Sequence, residues 1–430
     1  MCPMCLCVSK KMLLFILHPF NDEMKKLGFS AKDKKSNLQN RQLSQQRNIV
    51  RLLSKSNEPL TIPQIAILIK TSIPTGTKLV RELVENNYVL EEGKRETDNG
   101  RRPTVYTLNL KNFYVVGVEI LAKFIHVSVV RIDMETVFQA VNRQFILENT
   151  EGCLNYITTF IQTTIKDSGV KDNQIIGVGV GMTGSVNGHT GEPINYFNTL
   201  KVPFKTVLES RLDAPVFVDN DTRAIGTAEQ VLGIAKGIEN VLIVKVSRNL
   251  GLSIILNRKT IVGATGFSGN FAHTQFEGGE RLCSCGKKGC LGTKIAGDAL
   301  KNDLDDALQN GGKSLYFAAD TAQNYQYHDI LDASLNGDAL SIQLLQKQGD
   351  ILGQALGNVV NLLNPDLIVI GGEFVMVKDF FIDAIKIGVK KTALTDTLVN
   401  CRIEASTLGR YLSSKAGACM LLKAFDMIEH

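Results

Sequence analysis

The chain has 430 residues, of which 44% are hydrophobic and 21% charged, an ordinary globular balance that excludes a fibrous or low-complexity protein. It is too long for one small core and should split into two or three units. The net charge of +5 is unevenly placed: residues 1–112 hold 19 Lys+Arg against 10 Asp+Glu, and residues 113–430 hold 29 against 33. A basic head on a slightly acidic body points to a polyanion-binding module joined to something else, with a solvated basic tail as the plain alternative.

Residues 1–40 are expected to be a disordered or misassigned extension, with Met24 as an alternative start. Cys2, Cys5 and Cys7 could hold a metal, but an unfolded tail is a poor setting for one. No run of about 18 apolar residues occurs, so no membrane span is expected. The apolar patch "MLLFIL" has no small-residue cleavage site after it. A cytoplasmic, reducing compartment without disulfides is therefore the expectation.

From Arg41 to about Lys111 the pattern is three helices and a hairpin. "RQLSQQRNIVRLLSKSN" places Leu43, Ile49, Val50, Leu52 and Leu53 on one helical face. "LTIPQIAILIK" predicts a shorter helix. "TSIPTGTKLVRELVENNYVL" predicts a third, with Pro74 tolerated in its first turn. Leu79, Val80, Leu83 and Val84 form its apolar stripe; Thr75, Lys78, Arg81 and Glu82 lie opposite, with Thr77 flanking. A short helix, a tight turn and a helix that starts with small polar and basic residues is helix-turn-helix logic, in which that last helix enters the major groove. "NYVLEEG" and "PTVYTLNL" then read as arms of a wing around "KRETDNGRR", whose Arg101 and Arg102 suit a minor-groove hook. The expected DNA contacts are Thr75, Thr77, Lys78, Arg81, Arg101 and Arg102, and the partner is a double-stranded operator. The competing reading is a three-helix protein-interaction module with a surface loop.

From Phe113 strands alternate with helices: "YVVGVEI", "FIHVSVVRI", a helix over 151–167, "IIGVGVGM", "PVFVDND", a helix over 222–232, "NVLIVKVS" and "LSIILNR". The order repeats broadly after 240, which predicts two α/β lobes. "NPDLIVIGGEF" is a buried strand entering a glycine turn, and the last helix, about 413–428, carries the small run Ala416-Gly417-Ala418 suited to close packing.

"VGVGMTGSVNGHTGE", "VFVDNDTRA", "GNFAHTQ…CSCGKKGCLG", "NPDLIVIGGEF" and "LGRYLSSKAGAC" occur in the order and spacing of the ROK family (repressors, open reading frames and sugar kinases). With its winged head the chain resembles the repressor branch, which includes the N-acetylglucosamine and glucose-linked repressors. The resemblance covers about 41–430. It implies an α/β fold: an N-terminal winged helix-turn-helix (41–112) and a two-lobed actin-like (ribonuclease-H-like) ATPase body. The lobes would be 113–235 and 236–430, the last helix packing back on the first. It also implies a homodimer or homotetramer, and a sugar or sugar-phosphate effector in the cleft between the lobes.

The stretch "FAHTQFEGGERLCSCGKKGCLG" holds three cysteines and a histidine. Cys3His is a closed set typical of structural zinc, and buried core thiols are the alternative. The resemblance assigns zinc to His273, Cys283, Cys285 and Cys290, and sugar contacts to Asn198, Asn220, Asp221 and His273. Asn270 stands where the family has a glutamate and can still bond a hydroxyl; Gly292 replaces a second glutamate and cannot. Asp221 matches the kinases' catalytic base, although it could equally cap the helix that follows. The phosphate turns differ: Asp-x-Gly-Gly-Thr reads Glu119-Ile120-Leu121-Ala122-Lys123, and Gly-Thr-Gly-x-Gly reads Ser247-Arg248-Asn249-Leu250-Gly251. Side chains at those glycine positions keep backbone amides from phosphate. A regulator without catalytic residues is expected, a sugar kinase with an added head being the alternative.

Overall fold

The computed structural model describes residues 37–94, 103–318, 325–409 and 412–428, and gives the backbone alone at 37–40, 94, 412 and 413. These residues fall into two compact units. The first runs up to Val186 and adds Gly191–Asp221 and the segment from Ser413 onward; the second holds Asn187–Thr190 and Thr222–Leu412. The division therefore falls after Asp221 and not after 235. The helix expected to close the first lobe goes with the second unit because its Ile225 packs against Ala235, Val241, Ile243, Ile255, Leu367 and Val369.

The first unit opens with α1 (Asn37–Lys55), β1 (Leu60–Thr61), α2 (Ile62–Leu68), α3 (Ile73–Glu85), β2 (Val89–Lys94) and β3 (Thr104–Leu108). Helix α1 begins inside the stretch expected to be an extension, since nothing in "NLQNRQLSQQ" breaks a helix. The two-residue β1, which the sequence pattern hides at the start of a helical run, pairs antiparallel with β3 and completes a sheet of order β1-β3-β2. Thr61 ends that strand and caps α2. Its backbone amide donates to Gln64 at 2.9 Å while its hydroxyl accepts from the Gln64 amide at 3.4 Å, a reciprocal capping box. Lys70 takes φ +55 in the turn, and Gly76 lets α3 close on α2, where a Cβ would sit 3.2 Å from that of Ala66.

The rest of the unit is a sheet of β4 (Tyr114–Leu121), β5 (Phe124–Arg131), β6 (Thr136–Asn142), β7 (Ile175–Met182) and β8 (Val216–Asn220), ordered β6-β5-β4-β7-β8. Strands β4, β7 and β8 run parallel, and β5 and β6 antiparallel to their neighbours. Helices α4 (Glu151–Asp167) and α5 (Phe204–Leu212) pack on it. The last helix, α11 (Leu412–Ala424), lies on β4 and β7 so closely that glycines are required. A Cβ at Gly117 would meet the Ser414 carbonyl oxygen at 1.9 Å, one at Gly179 that of Gly417 at 1.9 Å, and one at Gly417 that of Gly179 at 2.2 Å. The end of the chain also completes the core of the three-helix head: Leu421, Leu422, Phe425 and Met427 cluster with Ile49, Val50, Leu79, Leu83 and Val115. Ser54 donates to the Met427 carbonyl at 2.9 Å, and Lys55 pairs with Asp426.

The second unit takes α6 (Asp221–Leu232) from Thr222 onward and repeats the strand order in β9 (Val241–Val246), β10 (Leu250–Leu256), β11 (Lys259–Thr260), β12 (Leu367–Gly371) and β13 (Arg402–Ala405), arranged β11-β10-β9-β12-β13. Helices α7 (Gly297–Gln309), α8 (Tyr327–Leu335), α9 (Ala339–Leu363) and α10 (Lys378–Thr392) cover it. Glycines again permit tight helix contact, a Cβ at Gly353 meeting the Ile385 carbonyl at 2.2 Å. Among the described residues no helix is long and apolar enough to cross a membrane.

Candidate functional site

Four of the six expected DNA contacts lie on α3; Arg101 and Arg102 fall outside the described residues. Leu79, Val80 and Leu83 are buried as the apolar stripe requires, and Val84 is half-buried. Lys78 and Arg81 are exposed, Lys78 lying 3.9 Å from Glu82 one turn on. Glu82 accepts from Gln42 at 2.6 Å and Gln46 at 2.7 Å, so α1 fixes the roll of α3. The Thr75 and Thr77 hydroxyls have partners near the start of α3. Ser72 caps the helix by accepting from the Thr75 amide, its hydroxyl lies 2.8 Å from that of Thr75, and Thr77 donates to the Ile73 carbonyl at 2.8 Å. Both threonines spend hydroxyl capacity on their own helix.

The second unit brings the Cys3His set together. A single helical turn, Phe271–His273, presents the imidazole, and an antiparallel bridge sets Gln275 against Cys290. The Cys283 amide donates to the Lys287 carbonyl at 2.8 Å, closing a turn in which Gly286 takes φ +84, followed by Gly289 at φ +75. The four ligand atoms lie within 4.8 Å of one another. His273 Nδ1 is 3.6 Å from Cys283 Sγ, and Cys285 Sγ is 3.6 Å from Cys290 Sγ. A tetrahedral ion with Zn–S of about 2.3 Å and Zn–N of about 2.05 Å separates such atoms by about 3.6–3.8 Å, so the set fits zinc. Burial and the neighbouring Cys285 and Cys283 thiols push the Cys290 thiol up to about 11, while the Lys287 amide holds that of Cys285 below its ordinary value. A cation between them would let three such close thiols ionise together.

Two residues that sequence reasoning missed tie this loop to its unit. Arg281 donates to Asp303 at 2.8 Å and to Asp306 at 2.6 Å, clamping the loop to α7. The buried Gln348 of α9 then joins Asp303 to the Ala296 amide at 3.3 and 3.2 Å. Only the presence of Asp303 and Asp306 on one face of a helix hinted at this, and their partner lies some twenty residues earlier in the chain.

Of the expected hydroxyl contacts, Asn198, Asn220 and Asp221 belong to the first unit and Asn270 and His273 to the second. Asn220 donates to the Gly184 carbonyl at 2.9 Å, and the unanticipated Asn195 accepts from the Ser185 amide at 2.8 Å, so two asparagines order the 183–186 turn. Asn198 is exposed, donates to the Ile194 carbonyl at 3.0 Å and accepts from Asn149 at 2.9 Å. Asp221 is buried at the first position of α6. Asn270 is exposed and donates to the Phe267 carbonyl at 2.9 Å.

The two phosphate turns are built differently. Residues 119–123 form the end of β4 and a two-residue hairpin, with Leu121 paired to Phe124. At the second turn the Ser247 amide donates to the Asn249 carbonyl at 3.1 Å, and the first amides of α7 are consumed within the unit: Gly297 donates to Ser247 at 2.8 Å and Asp298 to Arg248 at 3.2 Å. The Arg248 guanidinium meets both Asp298 carboxylate oxygens at 3.1 Å, so a side chain of this protein supplies the negative charge that a helix N-terminus favours.

Two α/β units, each with a sheet of three antiparallel strands followed by two parallel ones, define an actin-like, sugar-kinase-type fold. The ROK family model matches residues 115–424, and the chain belongs to the ROK family. A putative xylose repressor from Caldicellulosiruptor sp. (strain Rt8B.4) is 27% identical over 361 residues, covering 83% of this chain and 89% of that one. The DNA-binding transcriptional dual regulator NagC of Escherichia coli (strain K12) is 27% identical over 373 residues, covering 85% and 89%. The crystal structure of a ROK family transcriptional regulator described as a homolog of the E. coli MLC protein superposes with a TM-score of 0.76 at 21% identity. It covers 90% of this chain and 97% of that one.

Proposed function

We propose that this protein is a DNA-binding transcriptional regulator, a repressor of carbohydrate-metabolism genes, whose operator affinity is set by a sugar or sugar-phosphate effector. The observation that carries the reading is the head. Its order α1-β1-α2-α3-β2-β3 suits a winged helix-turn-helix, and α3 shows solvent an exposed Lys78 and Arg81. The repressor names of the relatives support the same reading. Arg101 and Arg102 would add minor-groove contacts from the wing, and a homodimer or homotetramer would place two heads on one operator. Asn198, Asn220, Asp221, Asn270 and His273 would bond effector hydroxyls. Zinc held by His273, Cys283, Cys285 and Cys290 would be structural, and a reducing cytoplasm would keep those thiols available.

The test is in vitro selection of DNA by the full chain, repeated with a panel of monosaccharides and their phosphates. Lys78→Ala/Arg81→Ala should weaken binding and flatten the dependence of log K on log salt by about 1.8 if both side chains meet phosphates. A folded double variant that binds selected DNA as the parent does, with the same salt slope, refutes the reading. A kinase would be favoured by Asp221, which the resemblance matches to the kinases' catalytic base. Against it, the Ser247, Gly297 and Asp298 amides already have partners within the chain.

A further inference from the structure

Around the turn between α2 and α3 three large aliphatic side chains face solvent: Ile67 (74% exposed), Leu68 (56%) and Ile73 (54%). Ile73 is the first residue of α3. Its neighbours leave that end of the helix poor in groups that read hydrogen bonds. The Ser72 and Thr75 hydroxyls face one another, and the Thr77 hydroxyl donates to the backbone of Ile73 itself. Pro74 has no amide proton, and Gly76 is buried against Ala66. No Asn, Gln or Arg, the side chains that pair with adenine or guanine edges at two points, lies between Ser72 and Lys78.

The charges nearest this apolar tip along the chain are cationic. Between Glu58 and Glu82 the charged residues are Lys70, Lys78 and Arg81, and all three are exposed. Cations bordering an aliphatic tip fit a polyanion that displays an apolar group. Duplex DNA is such a ligand: in its major groove thymine alone carries a methyl group at C5. Resting on the DNA-binding reading above, we propose that Ile73 is a specificity determinant that packs on thymine methyls, so that α3 selects thymine by apolar contact at its first turn.

Uracil and thymine pair identically and differ by that methyl, which makes the contact separable from every other one. Duplexes are selected from a random library with the full chain, and each thymine of the recovered site is then replaced singly by deoxyuridine. At one or more positions the parent protein should lose about fourfold in affinity, the value of one buried methyl group. Ile73→Ser should lose a comparable amount on thymine DNA and nothing further on the uracil duplex at that position, the coupling expected of groups in contact. Its melting temperature should match the parent's, because the side chain is exposed. Indifference of the parent to every uracil replacement, or losses that simply add at every position, would overturn the assignment while leaving DNA binding intact. Selection that enriches no sequence would overturn the DNA-binding reading and this inference with it.

Discussion

Replacing Gly417 by alanine should loosen the head from a distance. Its Cβ would stand 2.2 Å from the Gly179 carbonyl oxygen, on a strand in the middle of the first unit's sheet. Neither atom can rotate away, since both are backbone or directly attached to it. Helix α11 must lift by about 1 Å to restore an ordinary contact, and overpacking of this kind costs about 3 kcal/mol at the upper end of its usual range. Alanine returns about 1 kcal/mol in helix propensity, leaving a net loss of about 2 kcal/mol. For a unit of this size that corresponds to a fall in melting temperature of about 4–8 °C. The same helix leads to Leu421, Leu422, Phe425 and Met427, which close the core of the head, so operator affinity should fall with stability. Gly152→Ala is the control, because its Cβ meets nothing nearer than Thr150 Oγ1 at 3.9 Å, and it should be neutral or slightly stabilising. Calorimetry and a DNA-binding titration on both variants decide the matter. Gly417→Ala that melts with the parent and binds DNA equally well would refute the packing argument.

Cys285→Ala should abolish stoichiometric zinc and lower the melting temperature, because metal binding and folding of the 271–292 loop are coupled; metal analysis showing no zinc in the parent would sink this. Asp338 caps α9 from a buried position, accepting from the Ser341 and Leu315 amides at 3.0 and 2.9 Å. Burial raises its pKa, but the hydrogen bonds from Ser341, Leu315 and Ser314 outweigh it and hold the carboxyl below its ordinary 3.8. A depressed folded value means that this contribution is complete above pH 4 and is lost as pH falls through the folded pKa. Asp338→Ala should therefore cost about 1–2 kcal/mol near pH 7 and progressively less in acid, read from urea unfolding at several pH values. A coupled assay with ATP and common hexoses should stay at background. Turnover near one per second that vanished in Asp221→Ala would reverse the regulator reading.

What could be read from the sequence is what local chemistry repeats. The periodicity of 151–167 and the apolar runs of the β strands depend on neighbours a few residues away, and the helix over Glu151–Asp167 has the expected bounds. The Cys3His cluster was legible for the same reason, three of its four members lying within eight residues. Long-range geometry was not. Leu60–Thr61 becomes a strand only because β3 arrives from more than forty residues away, and the hydroxyls of Thr75 and Thr77 look free until the helix cap is built. The unit boundary was misplaced because helical spacing shows which face of α6 is apolar but not which sheet it covers. Ala416-Gly417-Ala418 pointed to close packing, yet it took Gly117 and Gly179, on two different strands, to show what was packed. Those three glycines matter together. They bring α11 against the first unit's sheet, and the residues that follow the helix seal a head made from the other end of the chain. The head and the first lobe therefore share one continuous core, so a change that displaces α11 is felt at α3, the helix proposed to read DNA.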